Sequence, residues 1–126
     1  MQADAIVRRY PHMRIASLRP SWSIPNRALA KDEDPGRRKD DLWGYVQEDS
    51  CADAFLRAAV AADDAWSGHE AFFIVAPELT EDDNPVALYE KYWAHVPIKE
   101  GKDIRKGFFD CSKAERLLGW VHQATD

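Results

Sequence analysis

The side chains that could carry chemistry are few and scattered in this sequence. Its four histidines are His12, His69, His95 and His122. None of them forms a metal-ligand spacing with a cysteine, an aspartate or a glutamate, so the sequence predicts no metal site. No G-x-S-x-G turn marks a serine nucleophile, and neither Cys51 nor Cys111 has a base nearby in the sequence. We assign no catalytic residue on this basis, and we expect both cysteines to be buried free thiols.

Four large aromatic side chains offer a different kind of chemistry. Trp22, Trp43, Tyr45 and Trp120 have flat faces on which a sugar or an aromatic substrate could stack. Packing in the core is the competing interpretation, and we favour it for each of the four. The burial of each ring decides between the two interpretations.

Two acidic positions have a structural explanation in addition to a chemical one. Asp49 or Ser50 could accept hydrogen bonds from the free amides at the start of one helix. Asp110 or Ser112 could do the same for a second helix. We favour capping over catalysis for both aspartates.

The composition restricts the class of protein. A chain of 126 residues suits one domain, and 45% hydrophobic with 31% charged residues is typical of a globular protein. The net charge of −5 argues against a nucleic-acid partner, which would require a basic face. No apolar run reaches the length of about 18 residues that a membrane helix needs. We therefore expect no membrane partner and a cytoplasmic location.

Residues 42–59 form the clearest local unit, and they would position the chemistry around them. An aromatic and β-branched run over residues 42–46 predicts a strand, and residues 47–50 predict a polar turn. A helix is expected next. The apolar and small residues of its expected inner face are Cys51, Ala52, Phe55, Leu56, Ala59 and Val60.

The segments before this unit predict a helix, a strand and a long loop. Residues 3–10 have helical spacing and end at Pro11, and residues 13–18 predict a buried strand that Arg19 and Pro20 end. Residues 21–41 read as loop. Within them, residues 31–41 alternate both signs of charge and predict a charged surface loop. Phosphate binding by its basic residues is the alternative; these are Arg37, Arg38 and Lys39.

The segments after this unit alternate between strand and helix. Residues 70–76 predict a strand buried on both faces, and residues 85–94 predict a helix with an apolar side. Residues 96–107 read as an irregular basic loop. A short helix should follow, ending at Gly119, with Trp120 folding back onto it.

Four of these segments resemble one family, the extended short-chain dehydrogenase/reductases that include NAD(P)-dependent epimerases and dehydratases. IASLRPSW at residues 15–22 is similar to the family's LRPxNVYG element, and YVQEDSCADA at residues 45–54 is similar to its YVHVDDVARA element. FFIV at residues 72–75 resembles the family's xFNI strand. FDCSKAERLLGW at residues 109–120 resembles its D-x-S-K-A-x-x-x-L-G-W signature, and the four occur in the family's order.

Two motifs of this family do not occur among the 126 residues. One is the glycine-rich turn that holds NAD or NADP at a helix N terminus, and the other is the catalytic Y-x-x-x-K pair. The resemblance therefore implies a single incomplete α/β domain over residues 1–126. This domain would contain the last parallel strands and helices of a Rossmann-like fold together with small C-terminal elements of the substrate lobe.

The resemblance also indicates which residues would lie near a ligand. It places Pro20, Ser21 and Trp22 beside the nicotinamide and the substrate. It places five further residues in the substrate lobe: Trp43, Tyr45, Gln47, Lys99 and Arg105. Lys99 and Arg105 match the family's diphosphate-binding arginine only loosely.

Two functions follow as expectations. In the first, the chain is the substrate-side segment of an NAD(P)-dependent oxidoreductase that acts on a sugar or another small molecule. That segment would be catalytically incomplete and would bind no cofactor alone, so that a complementing N-terminal half would be its partner. In the second, the chain is a non-catalytic interaction module that associates with itself or with a related enzyme. Exposed strand edges and apolar helix faces would favour that association.

Overall fold

Two short pairs of parallel strands organise the chain. The structure, a computed structural model, describes residues 2–31 and 34–125. Its strands are β1 (Ile15–Pro20), β2 (Trp22–Ile24), β3 (Tyr45–Gln47) and β4 (His69–Ile74). β1 pairs in parallel with β4, and β2 pairs in parallel with β3. The described chain is therefore a mixed α/β structure with two small parallel sheets, which confirms the predicted α/β class.

Helices connect and cover these strands. They are α1 (Gln2–Arg9), α2 (Glu48–Val60), α3 (Pro85–Tyr92) and α4 (Ser112–Leu118). Three 3-10 helices lie in the connections, at Arg27–Ala30, Pro35–Asp41 and Ile104–Lys106. None of the helices in the described ranges is long and apolar enough to cross a membrane.

β1 is an edge strand of its sheet. The N–H of Ile15 donates to Gly68 at 2.9 Å and the N–H of Ser21 donates to Ile74 at 3.3 Å. Because alternate residues of a strand face opposite neighbours, the even-numbered residues of β1 direct their backbone groups away from β4. No other described strand pairs there. Pro20 is one of these residues and has no N–H, as is common on edge strands.

One hydrophobic core joins segments that are distant in the sequence. Its buried members are Val46, Cys51, Ala54, Phe72, Ile74, Ala114, Leu118 and Trp120. Ala16 and Leu18 of β1 pack against them. The Trp120 side chain is 1% exposed, and its Nε1–H donates to the carbonyl of Ser50 at 2.9 Å. This indole therefore joins the end of α4 to the start of α2.

The predicted inner face of α2 is wrong except at Cys51, which is buried in the core as expected. The helix begins at Glu48, so Asp49 and Ser50 lie inside its first turn and do not cap it. Its buried residues are Ser50, Cys51 and Ala54. Phe55 and Leu56 are 53% and 61% exposed, and Val60 is 70% exposed. The spacing identified an apolar stripe correctly, but β1, β3 and α4 pack against the smaller residues beside it.

The strand predicted over residues 42–46 begins only at Tyr45. Leu42 and Trp43 adopt the left-handed backbone region, with φ of 54° and 53°. Such conformations cost about 1–3 kcal/mol each in non-glycine residues. Burial of the Trp43 ring and the bond from its Nε1–H to the carbonyl of Pro35, at 2.8 Å, offset that cost. The ring packs against Tyr92 and Phe108, which are distant in the sequence, so the local pattern did not reveal this packing.

The segment predicted as loop over residues 21–41 contains three regular elements. These are β2 and two of the 3-10 helices. Within the predicted charged loop, Pro35–Asp41 is a 3-10 helix capped by the Asp34 carboxylate, which accepts from the N–H of Gly36. Residues 32 and 33 lie outside the described residues. Proline at the first helical position and the preceding aspartate explain the helix.

The remaining strand boundaries differ in detail. β1 continues through Arg19 and Pro20, because an edge position tolerates a proline that lacks an N–H. β4 was expected to be buried on both faces, but Phe73 is exposed while Phe72 and Ile74 are buried. Its outward face thus remains available to another layer.

Candidate functional site

The three residues expected beside the nicotinamide lie where β1 passes into β2. Pro20 and Trp22 are exposed and Ser21 is half-buried. Gly44 packs against Ser21 so closely that a Cβ there would lie 2.8 Å from the hydroxyl oxygen. The Arg38 guanidinium covers the Trp22 ring at 4.2 Å from its centroid. This face of Trp22 is therefore occupied by the protein itself.

Arg38 has a structural partner in place of a phosphate. Its guanidinium forms an ion pair with Asp41 at 2.8 Å and stacks on Trp22. It also reaches the carbonyls of Ala30 and Gly44 at 3.4 Å. These contacts favour a role in positioning the 3-10 helix.

Three of the expected substrate-lobe residues are buried. Trp43 packs against Tyr92 and Phe108, with ring centroids 5.6 and 5.8 Å apart. Tyr45 is buried in a separate cluster, and this burial raises the pKa of its hydroxyl. Gln47 is buried as well. In this structure all three therefore serve packing and hydrogen bonding.

The other two expected substrate-lobe residues lie on the surface. Arg105 is well exposed and pairs with Asp103, whose pKa falls to about 2 because of that guanidinium. Lys99 is also exposed, but it lines a pocket of about 470 Å³ beside α3. The structure does not bring Lys99 together with Pro20, Ser21 and Trp22 in that pocket.

The pocket beside α3 is lined mainly by apolar side chains. Its lining residues are Asp40, Leu42, Tyr89, Trp93, Val96, Pro97, Ile98, Lys99, Lys102, Ile104 and Phe108. Its volume falls in the range of about 300–1,000 Å³ that is usual for small-molecule sites. Tyr89 and Trp93 lie one helical turn apart, followed by three consecutive apolar residues in a loop otherwise rich in charge. This pattern was the available sequence signal, but it is equally typical of a helix side that packs against the core.

α2 begins directly after a parallel strand, the position at which α/β proteins often hold a phosphate. Here the C-terminal tail covers that helix end. The Gln47 side chain exchanges two hydrogen bonds with the backbone of Thr125, at 2.8 and 2.9 Å. The Ser50 hydroxyl accepts from the N–H of Gln123 at 3.0 Å. His122 accepts from the N–H of Gln47, and burial lowers the pKa of this imidazole.

NAD or NADP is the cofactor that the family resemblance implies, and the described residues do not fit it. The helix end best placed for a pyrophosphate is bonded to the tail, and no glycine-rich turn precedes it. Trp22, expected beside the nicotinamide, is covered by Arg38 on one face. We therefore derive no chemical step through this cofactor from these residues.

Ser17, His69 and Asp4 form an unexpected hydrogen-bonded series. The Ser17 hydroxyl lies 2.7 Å from His69 Nε2, and His69 Nδ1 lies 2.8 Å from the Asp4 carboxylate. This order of atoms is that of a serine hydrolase triad. The sequence separations of 52 and 65 residues explain why the sequence did not reveal it.

The surroundings of this series favour a structural role. None of the three residues lines the pocket beside α3, and Ser17 lies within β1, where strand alternation directs its N–H towards β4. That amide is thus unavailable as an oxyanion donor. The His69 side chain is 7% exposed. We infer that the series attaches α1 to the sheet.

The remaining reactive side chains also favour structural roles. Cys51 and Cys111 are free, and burial raises the pKa of both thiols, which disfavours the nucleophilic thiolate. Asp110 accepts from the N–H of Ser112 and pairs with Lys102, and these bonds hold the pKa of its carboxyl well below the usual range. The described residues contain no group of three or more side chains able to hold a metal ion.

No family model, curated protein or solved structure matches this chain. The resemblance to the epimerases and dehydratases therefore rests on the four sequence segments alone.

The structural role of the Ser17–His69–Asp4 series predicts how the protein responds to a serine-directed reagent. Diisopropyl fluorophosphate should not label Ser17, because the N–H of Ser17 points towards β4 and its side chain does not line the pocket beside α3. Intact-mass and peptide mass spectrometry would measure the labelling, with Ser17→Ala as the matched control. Labelling that disappears in Ser17→Ala and in His69→Gln would show instead that the series is a working nucleophile.

Proposed function

We propose that this chain is the substrate-side segment of an oxidoreductase similar to the NAD(P)-dependent epimerases and dehydratases. One observation carries the proposal. The four segments that resemble the family contribute jointly to a single hydrophobic core, through residues such as Leu18, Val46, Phe72 and Trp120. A common core is what the resemblance requires of these four segments.

The strand arrangement supports a partial Rossmann-like fold as the finer description. In such a fold the parallel sheet continues on both sides of its middle strands. β1 has a free edge with N–H groups at Ala16 and Leu18, on which a further parallel strand could pair. The proposal therefore includes a complementing cofactor-binding half, supplied by residues outside these 126. It also includes a location in the cytoplasm.

Within this proposal the chain provides binding surface and not the reacting groups. The catalytic tyrosine and lysine and the cofactor would come from the complementing half. The chemistry of the completed enzyme would be hydride transfer to or from a hydroxyl or carbonyl group. The pocket beside α3 lies in the segment assigned to the substrate lobe and is the best-formed place there for a small molecule.

Nicotinamide binding tests this proposal. The purified chain, titrated with NADH and NADPH, should give no saturable fluorescence enhancement below about 1 mM. The coding sequence 5′ to the Met1 codon should contain an in-frame glycine-rich turn and a Y-x-x-x-K helix, or a separate polypeptide should carry both. Production of the two parts together should then restore saturable binding.

Two results would contradict the proposal. One is micromolar binding of NADH by the 126-residue chain alone, which would place a cofactor site among residues that show none. The other is the absence of any in-frame or co-purifying polypeptide with the two motifs.

A second candidate function, association without catalysis, is favoured by the outer surface of α2. This surface, the α2 apolar face, consists of Ala52, Phe55, Leu56, Ala59 and Val60, all exposed. Adjacent large apolar side chains on one helix face are typical of a contact surface. The face does not by itself identify the partner, which would be a related enzyme or a second copy.

Sedimentation velocity tests this second function. If the α2 apolar face drives self-association, the wild-type chain should show a concentration-dependent sedimentation coefficient, and Leu56→Glu should abolish it. Arg116→Glu, which makes the same charge change at an exposed position of α4, is the control. A wild-type chain that stays monomeric at all concentrations would rule out self-association.

A further inference from the structure

In the pocket beside α3, the polar atoms of the two aromatic side chains of α3 and its C-terminal end are already hydrogen-bonded. The Tyr89 hydroxyl donates to the carbonyl of Val96 at 2.7 Å, and the Trp93 Nε1–H donates to the carbonyl of Lys39 at 3.1 Å. Both aromatic side chains are therefore held in place by the backbone. Their rings can contact a ligand, but their O–H and N–H donors are already used in these two hydrogen bonds.

This arrangement favours an apolar ligand body over a sugar. A sugar ring carries several hydroxyl groups, and each one that loses water on binding needs a hydrogen-bond partner. The remaining wall residues are mostly aliphatic or aromatic, including Leu42, Val96, Ile98, Ile104 and Phe108. Such walls stabilise an aromatic or alicyclic body through apolar burial and ring contacts.

One ammonium group of the pocket favours an anion. Two lysines and one aspartate line the pocket. Lys102 is paired with Asp110, whereas Lys99 has no ion pair within the described ranges. Asp40 opposes an anion, so the ligand's charged group should lie nearer to Lys99 than to Asp40.

We propose that this pocket binds a small organic anion with an apolar, aromatic-sized body, with the Lys99 ammonium contacting its carboxylate or comparable acidic group. The sequence leads us to expect a sugar or another small molecule as substrate, and this inference would make the substrate an apolar acid. The inference depends on the proposed function only in treating the ligand as a substrate. Binding itself requires neither nicotinamide nor a complementing half.

Two fluorescent probes with the same apolar body test the proposal. One is 8-anilinonaphthalene-1-sulfonate, and the other is N-phenyl-1-naphthylamine, which lacks only the sulfonate. The wild-type chain should bind one equivalent of each, and the anionic probe should bind more tightly. Binding is followed by probe fluorescence, with stoichiometry from titration at high protein concentration.

Charge variants test whether Lys99 and Asp40 cause the preference for the anionic probe. Lys99→Met should weaken the anionic probe about threefold, the size of a partly exposed charge contact, and leave the neutral probe unchanged. Asp40→Asn should strengthen the anionic probe alone. Lys106→Met, an exposed lysine outside the pocket lining, is the matched control and should change neither affinity.

Apolar variants establish where the probes bind. Ile98→Glu should weaken both probes, and the anionic one more. Leu56→Glu on the α2 apolar face should leave both affinities unchanged. Circular dichroism and thermal unfolding of each variant would verify that it is folded as the wild type is.

Several outcomes would overturn the inference. They are wild-type binding of neither probe, equal loss of both in Lys99→Met, no change in that variant, and loss of both in Leu56→Glu. None of these outcomes bears on whether the chain or a completed enzyme binds NADH. Conversely, a failed nicotinamide experiment would leave the probe preference unaffected.

Discussion

The buried indole of Trp120 is the contact on which the rest of this structure depends. Gly119 adopts a left-handed conformation, and the N–H groups of Gly119 and Trp120 donate to carbonyls at the end of α4. That turn brings the indole into the core, where its Nε1–H reaches the first turn of α2. The following residues then continue along the end of α2 as far as Thr125. One local turn thus aligns the C-terminal tail, the β3–α2 junction and the core.

The sequence allowed prediction of those elements whose signals are local. The strand at residues 13–18 and the short helix ending at Gly119 have strong periodicity or termination signals, and both are present. The α2 apolar face was misassigned because periodicity locates a stripe without showing what packs against it. Trp43 was expected within a strand, but distant contacts stabilise its left-handed backbone. Pairing between Gln47 and Thr125, separated by 78 residues, had no local signal.

For the candidate sites, too, the sequence showed residue types but not how they are arranged in space. Lys99 was identified from a loose family match, and the structure places it in an apolar pocket. The sequence shows the aromatic residues that form the walls of that pocket. The cavity itself depends on how α3 packs against the following loop. The Ser17–His69–Asp4 series shows the converse problem. Its interatomic distances resemble those of a serine hydrolase triad. The N–H of Ser17, however, points towards β4 and cannot act as an oxyanion donor. A chemical role must therefore be argued from the surroundings as well as from the three side chains.

Native-state hydrogen exchange tests most directly the claim that the four segments form one cooperative core. Protected amides of β1, β4, α2 and α4 should exchange with one common free energy, equal to that of global unfolding, because the Trp120 contact couples them. Amides of α3 and the loop after it should exchange at lower free energies. If α4 and residues 119–125 opened well below the global free energy while β1 and β4 remained protected, the C-terminal segment would be an appendage. The core shared by the four segments would then not exist as described.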